Sequence, residues 1–299
     1  MPGILLATHG SETSDAAVRL AALLAARKHT SLSAVCVLEP PRIVDGGYAE
    51  WYVPTPEEEE AARASLRAAV HDQLRRCGVS APVKVRIGSP AYEIASMARE
   101  SGAEAIVVGL GRHHLLERAI GNETALQLVQ LASTPVFAVP PGMSSMPRRS
   151  LAAIDFSPTS IASARAYAQC LVAGDTLHLV YAAGEWHGGY PIEHRVTAEG
   201  VLAAIVQQID VPQGVIVEQS VVEGDPAERI IGLATAGKAD VIVLGSHGYG
   251  FWKRLTLGSV ASKILRLSPM AVFVTPIGCL PPARVPAAPP ASAEHVGHQ

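Results

Sequence analysis

The sequence predicts an α/β protein made of two repeated open parallel five-stranded sheets with helices on both faces, and three observations carry that expectation. Residues 88–109, GSPAYEIASMARESGAEAIVVG, align without a gap on residues 224–245, GDPAERIIGLATAGKADVIVLG. The same spacing of 136 residues returns where PVFAVP at 135–140 falls on AVFVTP at 271–276, and ILLAT and LAAID lead the two copies. A period of that length marks a duplicated domain, because solenoid modules repeat every ~20 to 50 residues. Within each copy, short apolar runs alternate with helical stretches, as expected of parallel strands buried on both faces between crossover helices. At 299 residues, each copy is long enough to bury its own core.

In the first copy ILLAT opens the sheet. Glu57–Glu60 then put negative charge at a helix start, and Arg75 and Arg76 put positive charge near its end, before Gly78. The helix dipole is sufficient reason for that acidic run. In the second copy the strands are SLAAIDF, DTLHLVYAA, GVIVEQSVVEG, ADVIVLGS and MAVFVTP, with helices between them. Ser157 and Pro158 supply a cap and a first-turn proline, after which Ile161, Ala164, Ala168 and Leu171 recur on one face. GDPAERIIGLATAGKAD reads as a loop, an amphipathic helix and a second loop. PPGMSSMPRRS at 140–150 is the expected linker, which gives domains at 1–141 and 148–277. The tail at 278–299, rich in Pro and Ala with no periodic apolar face, is expected to be disordered.

Hydrophobic residues make up 48% of the chain and charged residues 17%, with a formal net charge of −3. That balance argues against intrinsic disorder and against a nucleic-acid-binding surface. No apolar run approaches the roughly 20 residues that span a bilayer, and MPGILLATHG lacks a basic region followed by an apolar one, so a cytoplasmic location is expected. Cys36, Cys77, Cys170 and Cys279 are scattered without a close pair, which gives neither a zinc site nor a redox dithiol. His113, His114 and Glu117 lack further metal ligands and read as a solvated face; no metal site is expected.

The segment that asks for a function is GSHGYGFWKRLTLGS at 245–259, directly after the apolar run ADVIVLG. Ligands of open parallel sheets sit beyond the carboxyl ends of the strands, where strand order reverses. The end of the first strand places Asp155 on the same rim as this loop. Gly245 and Gly248 clear space for a nucleotide, and nine residues later Gly258 and Ser259 open the next helix, whose free amides and dipole favour an anion. Any one of these glycines would by itself be read as a turn. There is no GxxxxGK[ST] and no GxGxxG after the first strand, so P-loop and dinucleotide-binding readings are disfavoured.

The spacing Gly245-x2-Gly248-x9-Gly258-Ser259 resembles the ATP-binding motif G-x2-G-x9-G-[ST] of the universal stress protein family. DFS at 155–157, GDP at 224–226 and GSVASKILR at 258–266 also sit where that family has them, and the resemblance covers residues 2–276. It implies strand order 3-2-1-4-5 in each copy, with the copies paired through their last strands as single-domain members pair in dimers. It also implies ATP as ligand, with Mg bridging the phosphates if hydrolysis occurs. Carried over by position, Asp155 contacts the nucleoside, Gly245 and Gly248 the ribose and phosphates, and Gly258, Ser259 and Val260 the phosphate tail, while the backbone near Tyr181 holds the adenine. His247 reads equally as a residue that reaches phosphate or as part of a solvated loop, whereas Lys253 and Arg254 read first as a solvated loop.

The first copy departs from the motif. Thr8 stands where the second copy has Asp155, one residue separates Gly109 from Gly111, and Asn122 stands at the serine position. One nucleotide per chain is therefore expected, in the second copy, with His9, Thr8 and Asn122 open to a smaller ligand. Tyr48, Trp51, Tyr52, Trp186 and Tyr190 follow the second strands and read first as packing. The expected function is an ATP-binding regulator or sensor of the stress-response type with little or no catalysis, paired within the chain or as a homodimer and answering to an unknown protein partner. The alternatives are a slow ATP hydrolase or adenine-nucleotide-processing enzyme, for which neither ATHGSETS nor AIDFSPTS supplies a pyrophosphate loop, and a non-nucleotide scaffold.

Overall fold

The structure is a computed structural model that describes residues 3–40, 54–110, 120–184, 192–247 and 257–279. The first half runs β1 (Gly3–Ala7), α1 (Asp15–Arg27), β2 (Ser31–Leu38), α2 (Pro56–Arg76), β3 (Val83–Ile87), α3 (Pro90–Ser101), β4 (Ala105–Gly109), α4 (Ile120–Leu131) and β5 (Val136–Val139). The second half repeats the order with β6 (Arg149–Ala153), α5 (Pro158–Ala168), β7 (Thr176–Ala183), α6 (Ile192–Gln208), β8 (Ile216–Glu223), α7 (Pro226–Ala236), β9 (Val241–Gly245), α8 (Ser259–Leu267) and β10 (Ala271–Thr275). No described helix is long and apolar enough to cross a membrane. Ile277–Cys279 form a 3-10 turn; the remainder of the tail, like the His113–His114–Glu117 cluster and the aromatics of 48–52 and 186–190, lies outside the described residues.

Local chemistry fixes the helix starts. The run Glu57–Glu59 lies in the first turn of α2, and Arg75 and Arg76 lie in its last, as the dipole reading requires. Glu58 does more than charge that end. Its carboxylate accepts from the Thr55 amide at 2.8 Å while the Thr55 hydroxyl accepts from the Glu58 amide at 3.2 Å, a reciprocal capping box. Ser157 caps α5 through the Ser160 amide, and Asp225 caps α7 through the Glu228 amide.

All ten strands join in one sheet, ordered β3-β2-β1-β4-β5-β10-β9-β6-β7-β8. Each half thus has order 3-2-1-4-5, and neighbours within a half are parallel. The exception is the join, where β5 and β10 run antiparallel with Phe137 opposite Phe273. Those two phenylalanines occupy the same place in the repeat, so the approximate two-fold axis passes through their pair. Their rings meet edge-on with centroids 4.6 Å apart, and the Tyr167 ring lies 5.4 Å from Phe273 and 6.1 Å from Phe137.

Helices α1, α2, α5 and α6 cover one face of the sheet, and α3, α4, α7 and α8 cover the other. The central strands β1, β5 and β10 are buried along their whole length, so their continuous apolar runs have the physical cause expected of a doubly covered sheet. A polar tie also crosses between the halves. The Arg27 guanidinium donates to the Cys170 carbonyl at 2.9 Å and lies 3.3 Å from Asp175, which is 1% exposed and also receives the Val172 amide. Arg148, next to the start of β6, approaches the same carboxylate at 3.5 Å.

The aromatic pair on the axis gives a direct test. Phe273→Ala is expected to destabilise the chain by roughly 3–5 kcal/mol, measured by urea denaturation, with one cooperative transition shifted for both halves.

Candidate functional site

The second half carries a cleft of about 430 Å³ where the carboxyl ends of β6, β7 and β9 meet the first turns of α7 and α8. Strand order reverses between β6 and β9, which is where an open α/β sheet opens a crevice. The volume falls within the range of small-molecule sites. Asp155, Tyr181, Gly245, His247, Gly258, Ser259 and Val260 all line it. Gly248, Lys253 and Arg254 lie outside the described residues.

Asp155 follows β6 at the point where the chain turns into α5. Its Oδ1 accepts from the Ser157 amide at 3.0 Å and from the Ser157 hydroxyl, which fixes the carboxylate against the turn. The turn itself is tight: Phe156 sits at φ 63°, in the left-handed region that a bulky side chain rarely enters. Phe156 is held there by packing, with its ring 4.4 Å from that of Tyr181 on β7.

The opposite lip is the end of β9. A buried row of hydroxyls on α5 docks onto its carbonyls: Ser163 donates to the Leu244 carbonyl at 2.7 Å, and Thr159 donates to that of His247. Ser157, Thr159, Ser160 and Ser163 are all buried. This contact decides why residue 245 is glycine. A Cβ there would come within 2.7 Å of the Ser160 amide nitrogen and the Thr159 carbonyl carbon, both backbone atoms. The close approach that glycine permits at this position is therefore to helix α5, whatever else borders the cleft. A Cβ on the equivalent Gly109 would come within 2.8 Å of the Ser14 Cβ. His247 is 5% exposed, with Nδ1 2.8 Å from the Ser246 hydroxyl, so it belongs to the cleft wall and not to a solvated loop.

Across the cleft, α8 begins without a side-chain cap. Gly258 occupies the cap position, its amide bonded to the Ser246 carbonyl at 2.9 Å, and among the described residues no side chain bonds the first-turn amides that follow. α2, α5 and α7 all have such a bond. The uncapped amides of Ser259, Val260 and Ala261 and the positive end of the helix dipole are a ready anion seat. Among the described residues no group of three His, Cys, Asp or Glu is arranged to hold a metal ion.

In the first half the side chain at the place of Asp155 is engaged within the protein. The Thr8 hydroxyl, at the place of Asp155, donates to Gln73 Oε1 at 2.8 Å and lies 3.0 Å from the Ser14 hydroxyl. Gln73, fully buried, also donates to the Ser11 carbonyl, the Ser14 hydroxyl and Asp15. The helix registers correct one reading of the sequence. α4 and α8 end at Leu131 and Leu267, and Ala125, Leu128 and Val129 are buried as Ala261, Ile264 and Leu265 are. In that register Asn122 stands opposite Gly258 and Glu123 opposite Ser259, one position away from the assignment of Asn122 to the serine. A carboxylate therefore occupies the position at which the second half offers a hydroxyl.

Sequence reasoning took Ser157 as a cap alone and did not find the α5 hydroxyl row, Phe156 or Gln73. The string SPTSIAS at 157–163 is the signal that was there to use, since four hydroxyls in seven residues are too polar for a buried helix face without acceptors opposite.

The profile of the universal stress protein family matches residues 2–140 and again residues 146–276. A universal stress protein of Mycolicibacterium smegmatis is 30% identical over 290 residues, covering 91% of this chain and 96% of that protein. Universal stress protein Rv2005c of Mycobacterium tuberculosis is 26% identical over 300 residues, with the same coverage. Among solved structures, a universal stress protein from Archaeoglobus fulgidus superposes with a TM-score of 0.63 at 20% identity, covering 92% of this chain and 96% of that one. A putative universal stress protein from Pseudomonas aeruginosa gives 0.64 at 18% identity, covering 92% and 93%. At those identities the two structures speak for the fold alone.

The α5–β9 contact makes a prediction independent of any ligand. Gly245→Ala is expected to destabilise the chain by about 1–3 kcal/mol through overpacking against backbone, read from thermal or urea unfolding without added nucleotide.

Proposed function

The chain belongs to the universal stress protein family, and on that premise we propose that its second half binds ATP in the cleft beside Asp155 and acts as a regulatory or sensing module with little or no catalysis. The observation that carries this reading is that Asp155 and the uncapped first turn of α8 line one cleft. A hydroxyl acceptor for the nucleoside and amide donors for phosphate are thus available together. In this reading the Asp155 carboxylate takes a ribose hydroxyl, and the amides of Ser259 and Val260 with the Ser259 hydroxyl take phosphate. The backbone at Tyr181 borders the adenine. Gly245, Gly258 and the buried His247 shape the wall. A bound Mg would be held by the phosphates themselves.

The regulatory role is favoured over hydrolysis by the state of the polar groups in the cleft. The Ser246–His247 contact joins sequence neighbours with the serine fully buried, which suits a wall and not an exposed nucleophile. The first half, whose Thr8 is tied to Gln73, serves as the structural partner across the β5–β10 ladder. Association of two chains, and a protein that reads the nucleotide state, belong to the same proposal.

Calorimetric titration with ATP, ADP and AMP on the full chain tests it. One site per chain is expected, with Asp155→Ala weakening ATP by at least about tenfold, as for the loss of a charge-assisted hydrogen bond. ATP at about 100 times its dissociation constant should stabilise the fold by about 2.7 kcal/mol in thermal unfolding. Absence of both heat and stabilisation at millimolar ATP would leave the scaffold reading standing instead.

A further inference from the structure

We propose that Lys263 selects nucleotides carrying more than one phosphate, by transferring its ammonium from an acidic clasp on α7 to the outer phosphates of a ligand seated on α8. This inference rests on the nucleotide reading of the cleft and adds a residue that the glycine motif does not contain. Lys263 Nζ lies 3.2 Å from Asp225 Oδ1 and 3.0 Å from Glu228 Oε1. Asp225 caps α7, and the next residue, Pro226, lines the cleft, as does Ile230 one turn on. On the other side, Lys263 stands four residues after Ser259, on the same face of α8. A helical side chain leans toward its own N-terminus, so the lysine stem runs back toward the turn that would hold phosphate. The ammonium thereby bridges α8 to the start of α7, the two helices whose first turns border the cleft.

The clasp is suited to exchange. The side chains of Lys263, Asp225 and Glu228 are 37%, 43% and 72% exposed, so the ion pairs are solvent-screened and cost little to break. Both signs of charge persist around neutrality. The Glu228 amide and then Lys263 hold the Asp225 carboxyl below its usual range, and Glu228 and Asp225 hold the Lys263 ammonium above its own. A first phosphate on the α8 amides leaves a second and third, with their added charge, to lie outward, where a compact ammonium is the natural partner. AMP offers nothing there.

A separate observation points the same way. In the register that places Phe137 on Phe273, the first half has Ser89, Tyr92 and Gln127 where the second has Asp225, Glu228 and Lys263. All three clasp charges are thus missing from the half that also lacks Asp155, Gly258 and Ser259. A clasp needed only to join two neighbouring helices would have equal use in both halves.

The test is calorimetry with ATP and AMP on the full-length wild type, Lys263→Met, Lys263→Arg and Asp225→Asn. Lys263→Met is expected to weaken ATP about tenfold while AMP stays within about twofold, and Lys263→Arg to recover most of the loss. Asp225→Asn keeps the α7 cap but loosens the lysine, so ATP should tighten by roughly two- to threefold. Unchanged ATP affinity in Lys263→Met, or equal loss of ATP and AMP, would overturn the role of Lys263 while leaving the nucleotide site intact; no tightening in Asp225→Asn would overturn the exchange. A wild-type chain that binds ATP no better than buffer would overturn the site and this inference together.

Discussion

Three residue pairs of antiparallel ladder, Val136 to Ala138 against Val274 to Val272, are the only hydrogen-bonded strand contact between two otherwise complete parallel sheets in the described residues. Every other inter-strand bond lies within a half. The ladder removes two edges at once, since β5 and β10 would each present unpaired amides and carbonyls if the halves stood apart. Because the join lies on the two-fold axis, Phe137 meets its own counterpart, and a single aromatic contact is used from both sides. Tyr167 and the Arg27–Asp175 pair then fix the helix layer over that seam. A carboxylate 1% exposed requires its guanidinium partner, because removing one member leaves an uncompensated buried charge.

From that common frame the halves diverge at the carboxyl edge of the sheet. In the second half the turn after β6 is tight enough to hold Phe156 in a left-handed conformation, and Ser163 and Thr159 of α5 donate to the carbonyls of Leu244 and His247 at the end of β9 and just beyond it. Asp155 is left on the cleft side of that turn. In the first half the same edge is satisfied internally, with Gln73 reaching from α2 to tie Thr8, Ser11 and Ser14 together. Asp155 thus borders the cleft, whereas Thr8 is tied to Gln73.

The repeat, the doubly covered sheet and the helix starts are legible in the sequence because each rests on local periodicity or on a cap within a few residues. The strand order and the pairing of last strands came from the family resemblance and not from pattern. What could not be read rests on contacts between distant segments. Gln73 reaches Thr8 across 65 residues, Thr159 reaches His247 across 88, and Lys263 reaches Asp225 across 38. Polar side chains carry no periodic signal that names a partner. Gly245 shows the complementary difficulty: glycine signals a close approach without saying to what, and the nearest atoms are those of α5. The placement of Asn122 one position off arose because Gly121-Asn122 imitates Gly258-Ser259, whereas the offset of 136 residues shared by the ends of β4 and β9 and of α4 and α8 puts Asn122 opposite Gly258.

The backbone amides of Arg148 and Arg149, bonded to Asp240, bring the connecting segment straight into β6. Being one polypeptide has an evolutionary consequence. In an assembly of identical subunits, any substitution appears on both sides of the axis, so a site cannot be lost from one partner and kept in the other. Fusion lifts that restriction, so Thr8 and Asp155 can differ at equivalent positions. It also holds the two halves at a permanently high effective concentration, which closes this chain to subunit exchange through that seam with separately encoded relatives.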